Sequence, residues 1–243
     1  MKRCSFVIIF YTVFCFFLSS SYATEPVNLI DFGLPSGNLW ATCNVGAEKP
    51  WDTGNYYAWG ETATKSDYSW ENYKYCNGMW NGMTKYCKGD KYCAVGFSDT
   101  LRQLELTDDV AFIAYGESYI IPTADDWHEL CNNSYMQWTD NYNDTGTKGC
   151  IIYRAKKNED KGAFNQTTSS YSLADIHIFL PVGGYIEGTI LRCSDTHCVY
   201  WASTISIISN NGNDFIFYAK YIGYSGETRC EGLLVRAIKK NNY

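Results

Sequence analysis

Basic residues form no cluster anywhere along this chain. Its 20 lysines and arginines are outnumbered by 26 acidic residues and are scattered singly or in pairs. Nucleic-acid binding rests on neutralising phosphates with such side chains, so this composition argues against it. The same shortage argues against an anionic membrane surface or a heparin-like polymer. No lysine or helix start follows Gly183, Gly184 and Gly188, so these glycines do not form a phosphate loop. No repeat of 20 to 50 residues recurs, which excludes solenoids and propellers. A βαβ rhythm is missing too, and with it a parallel sheet. Ser203 has no histidine near it in sequence, so nothing marks it as a catalytic nucleophile.

Long apolar runs are also scarce, with one exception at the start. Lys2 and Arg3 precede an apolar run from Phe6 to Leu18, and Ser21-Tyr22-Ala23 offers small residues for cleavage. This pattern predicts a secretory signal peptide over residues 1–23, and the run is shorter than the roughly 20 residues of a membrane span. No integral membrane segment is expected after cleavage. Thr24-Glu25 follows the cleavage site, so no lipid-bearing cysteine stands there. The expected address is therefore exported: periplasm, outer surface or extracellular. Removing Lys2 and Arg3 from 20 basic residues against 26 acidic ones leaves a net charge of −8.

Cysteine, by contrast, is plentiful. Eleven are present and nine follow residue 23: Cys43, Cys76, Cys87, Cys93, Cys131, Cys150, Cys193, Cys198 and Cys230. Export makes disulfides available, and an odd number leaves at least one thiol over. Cys87 with Cys93, or Cys193 with Cys198, would close a short loop. Cys43 and Cys230 sit in apolar strand patterns and read as small buried hydrophobes. His197 between Cys193 and Cys198, and His128 three residues before Cys131, have the ingredients of a metal site but too few ligands for one. No metal and no cofactor is expected.

The segment Asp31 to Glu61 reads as the organising unit, a hairpin-like pair of apolar runs, LWATCNVGA and YYAWG, joined by a Pro-Trp-Asp-Thr-Gly turn. Residues 62–92 form a polar excursion crowded with aromatics. Ordered loops of that kind commonly carry binding, so Tyr68, Trp70, Tyr73, Tyr75 and Trp80 are the candidate ligand-binding residues. Packing is the other reading of so many rings. A short helix is predicted up to Tyr115, with Thr107 as its cap and Asp108 and Asp109 in its first turn. A second helix follows Thr123, where Asp126 completes a pattern close to a capping box. Strands are predicted over Lys148–Arg154, Ile176–Val182, Tyr200–Thr204, Phe215–Tyr221 and Gly232–Lys239. Together these elements make an α+β fold with antiparallel sheets, two helices and long ordered loops.

Four blocks in order over about 210 residues carry a resemblance. They are Asp31–Glu61, Ile121-Pro122-Thr123 with Trp127, Ile178–Tyr185, and Tyr200–Ser203 followed by Arg229–Arg236. The chain resembles the Fibrobacter succinogenes major paralogous domain proteins, secreted and surface proteins of Bacteroidetes-type bacteria. That family usually has Trp-Arg before the apolar-Pro-Thr block. Here Tyr119-Ile120 stands there, so no role of that arginine carries over. The resemblance implies one C-type-lectin-like domain over residues 27–240, similar to formylglycine-generating-enzyme relatives, with both chain ends in one sheet. It also implies that Arg229 and Arg236 hold the closing strands through carboxylates or carbonyls. Calcium loops of the Glu-Pro-Asn, Gln-Pro-Asp or Trp-Asn-Asp kind are missing. The function expected is a non-catalytic secreted or surface binding domain, an adhesin or glycan-binding module, with a host or microbial glycan or protein as partner. The alternatives are a structural envelope component, or an oxidative cysteine enzyme related to formylglycine-generating proteins.

Overall fold

The computed structural model describes residues 27–241, so the expected signal peptide over 1–23 lies outside the described residues. In chain order the elements begin with β1 (Leu29–Asp31) and β2 (Leu39–Asn44). After a long irregular stretch come α1 (Val110–Tyr115), β3 (Tyr119–Ile120) and α2 (Ala124–Asn133). Then follow β4 (Ser134–Tyr142), β5 (Thr147–Arg154), β6 (His177–Pro181), β7 (Tyr185–Glu187) and β8 (Ile190–Arg192). The chain closes with β9 (Cys198–Ile205), β10 (Asn211–Tyr218), β11 (Tyr221–Thr228) and β12 (Arg236–Lys239). The fold is α+β, with two α-helices and antiparallel sheets in the orders β1-β2-β12-β3, β11-β10-β9 and β4-β5-β6, plus the hairpin β7-β8.

Local chemistry explains most of these elements. The Thr123 hydroxyl accepts from the Asp126 amide while the Asp126 carboxylate accepts from the Thr123 amide, so α2 starts on a complete capping box. The α1 cap falls two residues later than expected. Asp109 caps it, accepting from the Ala111 and Phe112 amides, while Thr107 lies in a preceding 3-10 turn. Asn143 and Asp144 take left-handed backbone at the β4–β5 turn, which suits their short polar side chains.

The hairpin expected within 31–61 does not form. β2 pairs with β1 and β12, and the YYAWG run pairs only through an isolated bridge from Tyr57 to Leu233, which precedes β12. Tyr57, Ala58 and Trp59 are all buried in succession, a covered loop rather than a half-buried strand. One aromatic core gathers Trp40, Trp127, Tyr200, Phe215 and Phe217, with Trp127 stacked on Phe215 at 5.4 Å. A second gathers Trp59, Tyr73, Tyr75, Tyr86 and, from β9, Val199, Trp201 and Ile205.

Arg229 and Arg236 are both fully buried. Arg236 donates to the Ala41, Thr42 and Phe179 carbonyls and to Asn44 Oδ1, tying β2 and β6 to β12. Arg229 donates to the Lys85, Tyr86 and Ser209 carbonyls and to the Tyr73 hydroxyl. Its guanidinium lies 4.8 Å from the Trp59 ring centroid. Carbonyl oxygens hold both cations, joined by Asn44 Oδ1 at Arg236 and by ring faces at Arg229, with no carboxylate among these partners.

Candidate functional site: a cysteine–aspartate loop

The excursion after residue 62 ends in a tight loop that Arg229 and Asp99 hold from below. Arg229 binds the carbonyls of Lys85 and Tyr86, and the Asp99 carboxylate accepts from the Tyr86 and Cys87 amides at 2.7 and 3.0 Å. Between these clamps Tyr86 has φ of 56°, a left-handed conformation that costs a non-glycine residue roughly 1–2 kcal/mol. The surrounding bonds over-determine it, and its ring packs edge-on against Trp59 at 5.1 Å. The Tyr86 hydroxyl donates to Asp108, which also pairs with Lys85. Burial and Asp108 push the Tyr86 phenol up to about 12. Burial alone would raise the Asp108 carboxyl, but the Lys85 and Tyr86 hydrogen bonds outweigh it and hold the group at about 2. The floor of the loop is therefore a settled charge network.

Above it, Cys87 and Cys93 form a disulfide with Cα atoms 5.8 Å apart. Asp90 stands midway in sequence, and its Oδ1 lies 3.6 Å from the Cys93 sulfur. Two amides fix the carboxylate: Tyr92 donates to Oδ1 and Ser209 to Oδ2, each at 3.0 Å. The Lys88 amide reaches the Ser209 hydroxyl, so the loop is latched to the turn before β10. The Gly89 amide points at the Cys93 sulfur from 3.1 Å. Cys87 Sγ, Cys93 Sγ and an Asp90 oxygen lie within 4.8 Å of one another. Among the described residues this is the one place where three groups of the metal-ligating kind converge so closely.

The two sulfurs differ in access. Cys87 is fully buried, whereas Cys93 is half-buried and opens onto a cleft of about 380 Å³ bounded by Gly89, Asp90, Val95, Phe97 and Ser98. Val95 is fully exposed at its edge. A disulfide whose half-buried cysteine lines a cleft, with a fixed carboxylate beside it, is a two-electron centre with a proton acceptor at hand. In reduced form the same three side chains can hold a metal ion.

This arrangement overturns the expectation of a non-catalytic binding domain, adhesin or glycan-binding module, and with it the expectation of no enzyme. An adhesive surface needs no carboxylate held against a disulfide sulfur beside a cleft. The disulfide itself was expected, and it fits an oxidising, exported setting. Among the described residues no helix is long and apolar enough to cross a membrane.

The five aromatic candidates fall in different places. Tyr68, Tyr73 and Tyr75 are buried in the core, and Trp70 packs against it. Trp80 is exposed and lies 5.7 Å from Tyr92, inside the disulfide loop, so it alone of the five stands beside this site. Cys193 and Cys198 are both free, one exposed and one buried. His197 bonds the Thr196 hydroxyl, and His128 lies edge-on between Phe215 and Tyr224. Cys43 and Cys230 are unbridged, as expected, though Cys43 is only half-buried. The residue that sequence reasoning missed is Asp90. Its signal was the spacing Cys-x2-Asp-x2-Cys, which places a carboxylate at the middle of the loop the two cysteines close.

No family model, curated protein or solved structure matches this chain.

Proposed function

We propose that this protein is a thiol–disulfide redox enzyme, with Cys93 as the reacting sulfur, Cys87 as its buried partner and Asp90 as the proton carrier. The convergence of the two sulfurs and the Asp90 carboxylate carries the reading. In the oxidising direction a partner dithiol enters the cleft and gives one proton to Asp90 Oδ1. Its thiolate attacks Cys93 Sγ, forming a mixed disulfide. The Cys87–Cys93 bond breaks with its electron pair on Cys87 Sγ. A buried thiolate is unfavourable, so Cys87 takes the proton from Asp90 as it leaves. The second partner thiol gives its proton to the freed Asp90 carboxylate, and its sulfur attacks the partner half of the mixed disulfide. This releases Cys93 as a thiolate that the Gly89 amide stabilises, and Asp90 then passes its proton to that sulfur. Two electrons and two protons pass from the partner to the cysteine pair.

The oxidative cysteine chemistry is in keeping with the resemblance to formylglycine-generating relatives, and so is a C-type-lectin-like fold over 27–240. Support for that fold comes from the first and last strands sharing the sheet β1-β2-β12-β3. The proposed address is the periplasm or the outer surface.

The test is the rate at which the oxidised full chain forms a disulfide in a dithiol peptide. Cys93→Ser abolishes the reaction. Asp90→Asn slows it roughly 100-fold near pH 6, the size of a general-base contribution. The loss shrinks above pH 9, where a partner thiol of ordinary pKa near 8.5 ionises unaided. A reaction unaffected by Cys93→Ser, or an Asp90→Asn deficit equal at both pH values, overturns the assignment.

A further inference from the structure

We infer that the reduced loop is a zinc site, with Cys87, Cys93 and Asp90 as three ligands and the cleft supplying the fourth position. The inference rests on the redox reading, because the two sulfurs can ligate only when their bond is open. The geometry is favourable before any rearrangement of the carboxylate. Tetrahedral zinc with sulfur at about 2.3 Å and oxygen at about 2.0 Å places a sulfur and an oxygen ligand about 3.5 Å apart. Asp90 Oδ1 already stands 3.6 Å from the Cys93 sulfur. The sulfur–sulfur edge must open from a bond to roughly 3.8 Å, and the Asp90–Cys87 edge, now within 4.8 Å, must settle at about 3.5 Å.

The surroundings suit a bound cation. Ser209 and Tyr92 fix the Asp90 carboxylate through their amides, so Oδ1 is presented as a single-oxygen ligand. Such outer bonds orient ligands and commonly govern metal affinity. The Gly89 amide supports a thiolate on Cys93. Two thiolates favour a borderline or soft ion over calcium or magnesium, which take oxygen ligands. A monovalent soft ion would be satisfied by two sulfurs alone, whereas the third ligand is a carboxylate, which suits zinc. Three protein ligands and an open cleft leave room for water or a partner group, the pattern of zinc sites that keep an exchangeable position.

Oxidation then acts as release. A small-molecule disulfide accepts two electrons from the thiolates, the Cys87–Cys93 bond forms, two small-molecule thiolates leave, and Zn²⁺ is freed. Charge and atoms balance with nothing further required.

The experiment uses the full chain, reduced with a phosphine under argon. Thiol counting by mass spectrometry first establishes that Cys87 and Cys93 are open in the folded protein. Zinc binding is then followed by competition with a chromophoric chelator, and cobalt(II) reports sulfur ligation through its absorption. Seven other cysteines among the described residues are free. The site is therefore read as the difference between the natural chain and Cys87→Ser/Cys93→Ser. The expected result is one additional zinc per chain, absent from the oxidised protein, and released when oxidised glutathione is added. Asp90→Asn weakens that zinc by at least tenfold while leaving both thiols countable. Open thiols with no additional zinc, or zinc indifferent to Asp90→Asn, overturn the site but leave the redox reading standing. A disulfide that opens only on unfolding removes both.

Discussion

Asp90, Asp160 and Asp214 share one side chain, and their surroundings give each a different capacity. Asp160 accepts from Thr167, Tyr171 and Ser169, and these bonds, Thr167 first, hold its carboxyl down to about 2. It staples its loop and has nothing left to offer. Asp90 is fixed by two amides, yet keeps an oxygen turned to the Cys93 sulfur. Asp214 is wholly buried, bonds Ser225 through Oδ1, and leaves Oδ2 without a partner. Burial first, and Glu227 second, push its carboxyl up to about 7. A carboxyl raised in the folded state binds its proton there while the unfolded chain, near 3.9, has lost it. Stability from this group is therefore present at low pH and is lost as pH rises from about 4 through 7. Its slope is at most about 1.4 kcal/mol per pH unit. Asp109, raised to about 6 by burial, and Glu231, raised by burial and by Glu227, act in the same direction. Denaturant titrations at pH 5 and 8 are expected to show a smaller difference for Asp214→Asn than for the natural chain. An unchanged difference would place the pH dependence elsewhere.

Among the elements, β12 depends most on a single side chain. It pairs with β2 and β3, and Arg236 fastens its neighbours by four hydrogen bonds to buried acceptors. Arg236→Met keeps much of the side-chain volume but leaves carbonyls of β2 and β6 unpaired. Each unpaired buried acceptor costs on the order of 1–3 kcal/mol, so the variant is expected to lose at least about 3 kcal/mol in chemical denaturation. A loss under 1 kcal/mol would mean that water or a shifted strand replaces the guanidinium. Gly212 in β10 is similarly committed, since a Cβ there would meet Trp59 Cδ1 at 2.4 Å. That contact explains why a strand next to the second core carries a residue with no side chain.

Across the whole molecule, legibility followed the reach of the interactions. Thr123 and Asp126 announced α2 because a capping box is local. The apolar stretch before Pro181 announced β6 because continuous burial is written in consecutive residues. By contrast, β11 reads YIGYSGET, an edge strand with two glycines and little alternation, and its pairing is supplied by β10. The YYAWG run looked like a strand because a covered aromatic loop has the same composition as one. Spacing offered two short loops, Cys87 with Cys93 and Cys193 with Cys198, and only the first is bridged. The proximity of Ser209 to Asp90 joins residues 119 apart, and no local pattern records it. The site was thus half visible: its sulfurs lay in a recognisable motif, while the carboxylate's orientation came from the tertiary fold.

The most direct measurement is thiol trapping of the folded full chain equilibrated in glutathione buffers of stepped potential, with circular dichroism recorded on the same samples. Cys87 and Cys93 are expected to open together in one two-electron transition while the folded spectrum persists, and to close again when the buffer is made oxidising. A pair that stays bridged until the spectrum collapses would contradict it, and would make the Cys87–Cys93 bond a fixed staple of the fold.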